Sequence, residues 1–425
     1  MSGQSGILTA LASYARVRLF PHIHRNRSHL ESWQKKRLSK WLANDVVKTE
    51  AFQHLAGANP ELSHLPIMDK ADLMEDFARY NIAGVTNEIG WAAFDRSKQF
   101  STYTVGASTG TSGNRGLFVI SQRERFAWLG AILAKALPEV WRYRDRVAVL
   151  LPISTPLYES ANETRYLTLK FFDISAPLES FVADLVHFNP SLLIAPPRVL
   201  RMLGEMDIDL SPRRIFSAAE KLDTFDRAII EARFGEILSE IYMATEGLLA
   251  VSCSHGRLHL SEDCMHFELA KEVNGLVSPI ISDFSRKTQI IVRYRMNDLL
   301  RMDRELCPCG SPLRVVSEIV GRMDDVLQFD GTAEQLVEIT PDIVRNVIVD
   351  ADRSIEDFRL IQIGRRKLEL HLPANCSTQT VARVKEKLKE TLAIHHAEVP
   401  IEIEHKDHLP EDESGKLRRV ERRCS

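Results

Sequence analysis

The amino-acid sequence predicts an α/β protein. A large N-terminal domain carries mostly parallel sheets flanked by helices plus an antiparallel subdomain, and a small α+β domain follows. Three observations carry this. From Leu117 to Met243 short apolar runs alternate with helix-period segments, the pattern of a parallel sheet covered on both faces. From about Gly256 strand patterns follow one another without helices. After Gly321-Arg-Met-Asp-Asp325 helix and strand signals mix over roughly 100 residues, near the usual domain size. The expected boundary lies at 321–325, giving domains 1–322 and 323–425.

Residues 1 to about 100 read mainly helical. The N-terminus lacks a basic start, and Ser13 and the arginines break its apolar run, which fits an amphipathic helix better than a signal peptide. Leu30, Trp33, Leu38, Trp41 and Leu42 recur at helical spacing. Asp69 is placed to cap a helix running through Leu73 and Phe77. Leu117-Phe-Val-Ile120 is strand-prone, Arg123–Leu137 is helical up to Pro138, and Val147–Leu151 is a buried strand stopped by Pro152. A helix over Leu178–Phe188, a strand over Ser191–Ala195 and a helix opened by Pro196-Pro197 continue the alternation. The strand Arg214–Ala218, the helix Thr224–Phe234 and the strand Leu238–Met243 complete it. The antiparallel part holds Leu258–Leu260, Leu276-Val277 and Gln289–Tyr294. Helices over Pro341–Val349 and Thr378–Leu392, with strands over Asp357–Ile363, Lys367–Leu372 and Val399–Glu404, make the last domain.

Composition narrows the function. A net charge of −3, with 44% hydrophobic and 27% charged residues, describes a soluble globular protein with no global field to recruit nucleic acid or an acidic membrane. Apolar runs such as Val147–Ile153 are too short to span a bilayer. Six cysteines in 425 residues do not form a disulfide framework and point to the reducing cytoplasm.

The stretch Val105-Gly-Ala-Ser-Thr-Gly-Thr-Ser-Gly-Asn-Arg-Gly116 interleaves glycines with small hydroxyls. Its backbone N–H groups and the hydroxyls of Ser108, Thr109, Thr111 and Ser112 could cradle polyphosphate, and an ordinary surface loop fits equally. A P-loop kinase or ATPase would need G-x-x-x-x-G-K-S/T, and the stretch has neither that spacing nor the lysine. Four later stretches pair with it: Ile241-Tyr-Met-Ala-Thr-Glu-Gly247, Arg293-Tyr-Arg-Met-Asn-Asp298, Val320-Gly-Arg-Met-Asp-Asp325, and Lys416 in the polar turn after Leu409. Singly each reads as a cap, a turn or a solvated tail. Cys253 and His259 precede Cys307-Pro-Cys309 by about fifty residues, and four soft ligands from two loops could close a tetrahedral zinc site. Reduced thiols in turns are the alternative, because C-x-C is tighter than the usual spacing. Tyr158 and Asn162 follow a strand end and are candidates to face a small-molecule substrate, with packing or capping as the alternative. The basic tail from Lys416 to Arg423 could meet ligand phosphates, and a solvated helix end is the alternative for its outer arginines.

As an ordered set, these stretches resemble the adenylate-forming superfamily of acyl-CoA synthetases, luciferases and adenylation domains, and within it the phenylacetate–CoA ligase branch. The resemblance runs from about residue 65 to the end. It implies that Ser108, Thr109, Gly110, Thr111, Ser112 and Gly113 hold the phosphates of ATP, that Tyr242 stacks on adenine and that Thr245 lies near the phosphate. Glu246 would hold Mg2+, Ala219-Glu220 would line the adenine pocket, and Asp298 and Arg322 would contact the ribose. Asp324 matches the hinge of a mobile C-terminal domain, and Lys416 matches its catalytic lysine. Some members of that branch bind zinc at positions like the four soft ligands. The chain departs from the pattern at Asn114-Arg115, where Lys-Pro is usual, and at Asn297, where glycine is usual. The implied reaction joins a carboxylic acid, aryl or acyl, to AMP with release of pyrophosphate, then passes it to CoA. An amine or carrier-protein acceptor, and a non-catalytic nucleotide-binding relative, are the alternatives. Quaternary state is unreadable from the residues, and a homodimer stays open.

Overall fold

The structure is a computed structural model describing residues 2–108, 115–140, 142–151, 167–235, 238–331, 335–352, 355, 357–409 and 417–423. Its chain divides into two compact units. One comprises Met1–Glu268, Ile280–Met296 and Met302–Ser317, and the other Leu269–Pro279, Asn297–Arg301 and Glu318–Ser425.

In the first unit, helices α1 (Ser2–Ile23) and α2 (Arg27–Asn44) open the chain, as the periodicity predicts. Asp69 caps α3 (Lys70–Glu75): its carboxylate accepts from the N–H of Ala71 and Asp72, and Asp72 accepts from the N–H of Asp69. After α4 (Asn87–Arg96), strands β1 (Gln99–Phe100), β2 (Tyr103–Ala107) and β3 (Leu117–Ser121) form an antiparallel sheet. Helix α5 (Gln122–Ala136) follows directly, with Ser121 and Glu124 as a second capping box.

Parallel strands β4 (Asp145–Leu151), β5 (Leu167–Asp173), β6 (Leu192–Ala195), β7 (Arg214–Ala218) and β8 (Leu238–Ala244) lie in the order β5-β4-β6-β7-β8. Alternation along β4 decides what covers each face. Val147 and Val149 pack with Phe126 and Leu129 of α5 and with Tyr14 of α1. Ala148 and Leu150 pack with Leu185, Leu200 and Ile230, from the helices Val182–Phe188, Pro197–Glu205 and Thr224–Phe234. Each fully buried valine, leucine, isoleucine or phenylalanine among them contributes about 1.5–3 kcal/mol. The helices α1 and α5 cross closely because residue 130 is glycine: a Cβ there would sit 2.1 Å from the carbonyl oxygen of Ala10.

Strands β9 (Gly247–Ser252) and β10 (Leu258–Leu260) extend the sheet antiparallel, and β10 pairs with Val315 and Val316. The antiparallel run also includes β11 (His266–Lys271), β12 (Val277–Ser282), β13 (Tyr294–Arg295), β14 (Asp298–Met302) and β15 (Val315–Arg322). Here the sequence expectation needs correction. Gln289–Tyr294 is not a continuous strand, because Arg293 adopts a left-handed φ of 45° that breaks the run. Asp298 begins β14.

In the second unit, β16 (Leu327–Asp330) and β17 (Leu336–Ile339) form a hairpin. Strands β18 (Arg359–Ile363), β19 (Lys367–Pro373), β20 (Ile401–Lys406) and β21 (Val420–Arg423) form a sheet ordered β20-β19-β18-β21. Val344 and Ile348 of the helix Pro341–Ala351, with Val384, Leu388 and Leu392 of the helix Thr378–Ile394, pack on Leu360, Leu368, Leu370 and Leu372. The tail is the second correction. Val420–Arg423 is a strand pairing in parallel with β18, and no solvated helix end. Its arginines are engaged: Arg418 bonds Asp325, Arg419 bonds Asp357 at 2.7 Å, and Arg423 bonds Glu421 at 3.0 Å.

Candidate functional site

The glycine-rich stretch joins β2 to β3, whose last pair is Ala107 with Leu117. Ser108 closes its neck twice: its N–H donates to the Gly116 carbonyl at 2.7 Å, and its Oγ accepts from the Gly116 N–H at 2.7 Å. Thr109, Gly110, Thr111, Ser112 and Gly113 lie outside the described residues, as do Tyr158, Asn162 and Lys416. Arg115 lays its guanidinium over the ring of Trp91 at 4.7 Å and faces Phe94 at 5.6 Å.

Thr245 and Glu246 form the tip between β8 and β9, whose nearest pair is Ala244 with Gly247. Glycine suits residue 247, where φ is +151° and a Cβ would approach Met265 at 3.2 Å. Arg286 donates to the Thr245 carbonyl at 3.2 Å and to Gln289 Oε1 at 3.3 Å, and Gln289 Oε1 also accepts the Val119 N–H at 3.0 Å. One hydrogen-bond chain therefore links β3, the strand leaving the glycine-rich neck, to the Thr-Glu tip. Glu246 is buried, and its Oε1 accepts from the Tyr294 hydroxyl at 2.8 Å. Lys70, Gly116, Phe118, Thr245, Glu246 and Arg286 line a common cleft. Behind it, burial pushes the Asp283 carboxyl up, opposed by Arg286 and by hydrogen bonds from Ser285. A carboxylate, an arginine and a lysine thus meet beside the glycine-bearing neck.

Arg286, Gln289 and Tyr294 escaped the sequence reading. Arg286 and Gln289 stand some forty residues beyond Thr245-Glu246 with no local spacing to mark them, and Tyr294, though inside the Arg293–Asp298 stretch, carried no assigned role there.

Tyr242 lies on β8 opposite Ala250 and is buried. Ala219, directly after β7, takes a left-handed φ of 68°, a conformation that costs a non-glycine residue about 1 kcal/mol or more. Strands β7 and β8 are parallel neighbours, so Ala219-Glu220 and Thr245-Glu246 leave the sheet at the same edge, where ligands of such sheets bind. In the second unit, Asp298 opens β14 and Arg322 ends β15. Asp324 is exposed in the turn Met323–Asp325 and accepts from the Asn297 amide at 2.6 Å. The Asn297 carbonyl accepts the Met323 N–H at 2.8 Å, so the asparagine in place of glycine holds this turn.

The four soft ligands converge. Cys253, His259, Cys307 and Cys309 bring their ligand atoms within 4.8 Å of one another. Cys253 Sγ is 3.6 Å from Cys307 Sγ, and Cys309 Sγ is 3.4 Å from His259 Nε2. His259 Nδ1 lies 3.0 Å from the Leu313 carbonyl, which aims Nε2 at the thiols. Burial, reinforced by the neighbouring thiols and opposed by a backbone hydrogen bond, pushes the Cys309 thiol up to about 12.

Among the described residues, no helix is long and apolar enough to cross a membrane. The fold is that of the AMP-forming acyl-CoA and adenylate-forming ligases. The chain is similar to 2-hydroxyisobutyryl-CoA ligase in the postadenylation state, bound to 2-HIB-AMP, with TM-score 0.63 at 17% identity over 96% of this chain and 88% of that one. It is similar to the anthranilate CoA ligase AuaEII in complex with anthranoyl-AMP, with TM-score 0.51 at 14% identity over 74% and 65%. It is also similar to the amide bond synthetase McbA from Marinactinospora thermotolerans, with TM-score 0.53 at 13% identity over 72% and 67%. No protein-family model and no curated protein matches the chain.

Proposed function

We propose that this protein is an ATP-dependent, AMP-forming carboxylate ligase that ends in a thioester, with CoA as acceptor. The observation that carries it is the fold shared with an acyl-adenylate-bound CoA ligase over 96% of the chain, together with Thr245 and Glu246 at the cleft beside the glycine-rich neck. In the first step a carboxylate oxygen attacks the α-phosphorus of ATP, the bond to the bridging oxygen breaks, and pyrophosphate leaves. Two anions must meet, so the site needs concentrated positive potential. The loop amides from Ser108 to Gly113 hold the phosphates, Tyr242 and Ala219-Glu220 hold adenine, and Asp298 and Arg322 hold the ribose. Glu246, oriented by the Tyr294 hydroxyl, would hold magnesium, which supplies neutralisation of phosphate charge. Lys416 stabilises the charge that develops on the reacting oxygens. The thiol then displaces AMP from the acyl carbon.

ATP–pyrophosphate exchange across aryl, fatty and amino acids tests the reading and identifies the acid. Lys416→Ala is expected to lose about a hundred- to thousandfold in exchange while binding ATP nearly as well. Exchange at the wild-type rate in that variant would sink the assignment. The fold shared with an amide bond synthetase supports an amine acceptor as the second reading. Supplying either CoA or an amine to the preformed adenylate separates the two.

We also propose that Cys253, His259, Cys307 and Cys309 hold a structural zinc ion, a reading supported by their convergence within 4.8 Å. The residues fit the ion, being four soft donors with one ring already oriented from behind. Less than one equivalent of zinc in protein purified without chelator would count against it.

A further inference from the structure

We propose that Glu369, His371 and Glu404 form a binding site for a divalent first-row transition cation of the zinc class. All three lie on the β20-β19-β18-β21 sheet of the second unit. Leu368, Leu370 and Leu372 of β19 pack with the helices, so Glu369 and His371, alternating with them, face the other way. In the parallel β19–β20 ladder His371 stands beside Glu404, which brings the second carboxylate to the same face.

The three ligand atoms lie within 4.8 Å of one another. His371 Nε2 is 3.5 Å from Glu404 Oε2 and 4.0 Å from Glu369 Oε2. His371 is only 7% exposed, yet neither ring nitrogen has a hydrogen-bond partner among the described residues. A buried polar group left this way is costly and calls for an explanation. The carboxylates are matched from outside: Lys367 lies 2.8 Å from Glu369 and from Glu402, and Lys406 lies 2.6 Å from Glu404. The imidazole between them is not.

One histidine nitrogen and two carboxylate oxygens, with water completing the shell, are an ordinary donor set for zinc, cobalt or manganese. Metal bonds of about 2.0–2.1 Å would bring the donors to about 3.3 Å apart, a contraction that side-chain torsions can supply. Lys406 must leave Glu404, and because both side chains are over a third exposed the lost ion pair costs little. The bound ion would pin the edge strand β20 to β19. None of these residues belongs to the proposed adenylation site.

The test is titration of the chelator-treated full chain with Co2+, followed by absorption. Cobalt on thiolates gives intense charge-transfer bands, whereas cobalt on nitrogen and oxygen gives only weak d–d bands, so this site is told apart from the cysteine cluster. One ion per chain without the thiolate signature is expected. His371→Ala should lose that ion, Glu404→Gln should bind it at least about tenfold more weakly, and any thiolate signal should stay unchanged in both. No nitrogen–oxygen cobalt in the wild type overturns the proposal, as does equal binding in a folded His371→Ala chain. If His371→Ala fails to fold, Glu404→Gln decides, and unaltered affinity there overturns it.

Discussion

Glu124 joins two distant stretches through one carboxylate. It accepts from the N–H and hydroxyl of Ser121, from the N–H of Lys287 at 2.6 Å, and from the N–H and hydroxyl of Thr288. Residues 287 and 288 directly follow Arg286, so this carboxylate also sets the segment that holds the Thr245 carbonyl. Burial raises its pKa, but the hydrogen bonds from Ser121, Thr288 and Lys287 outweigh that and leave it below the ordinary 4.5. Its stabilising contribution is therefore complete above about 4.5 and lost as pH falls through the lower, folded-state value. Glu124→Gln should cost about 1.5–3 kcal/mol in urea unfolding at neutral pH. It should also flatten the acid limb of the stability profile below pH 4.5, and an unchanged limb would refute the role. The sequence reading opened this helix at Arg123 and missed the Ser121-x-x-Glu124 capping box, whose spacing is local, while the partners at 287–288 lie more than 160 positions away. The same split applies to Glu246, whose motif is local and whose hydrogen-bond donor Tyr294 is not.

Elements with one clean periodicity were legible nearly to the residue. Arg214–Ala218 and Thr224–Phe234 fall where the apolar spacing places them, because each packs on the sheet core and its pattern answers to burial alone. Strand β21 was hidden by its charges: Glu421 pairs with Arg359 across the sheet, so an edge strand reads as a basic tail. Strand β5, at an edge of the large sheet of the first unit, was also missed, since only its Leu167 and Phe172 are buried. The cysteine cluster shows the same logic from the side of chemistry. Its C-x-C spacing is tighter than the usual zinc motif, but Cys253 leaves β9, His259 sits on β10, and the Cys307-Pro-Cys309 loop reaches both. The strand register, more than the C-x-C spacing, sets these distances. Cys309→Ser should weaken zinc binding at least about tenfold and lower the thermal midpoint, and chelation of the wild type should reproduce that drop. A midpoint indifferent to chelator would leave the cluster without a structural role.

At the scale of the whole molecule, the residues proposed for one reaction are divided between the two units. Ser108, Tyr242, Thr245 and Glu246 belong to the first, while Asp298, Arg322 and the segment containing Lys416 belong to the second. The order of these motifs was legible because each is short and local. The packing around each within its own unit was not, since it depends on strand register and on contacts between distant stretches. If Asp324 is the hinge that the family resemblance implies, a change there should separate the two half-reactions. Asp324 lies in the short turn Met323–Asp325, closed by the Val326 N–H on the Met323 carbonyl and by the Asn297 amide on its own side chain. Proline at 324 would remove that side-chain bond and push Met323 out of its helical conformation, so the turn could adopt fewer geometries. Asp324→Pro is therefore expected to leave pyrophosphate exchange within about threefold of wild type and to slow thioester formation by about tenfold or more. Asp324→Ala, which removes the carboxylate but leaves the backbone free, should be milder in the second step. Equal losses in both half-reactions, in a chain whose circular dichroism is unchanged, would place the pivot elsewhere.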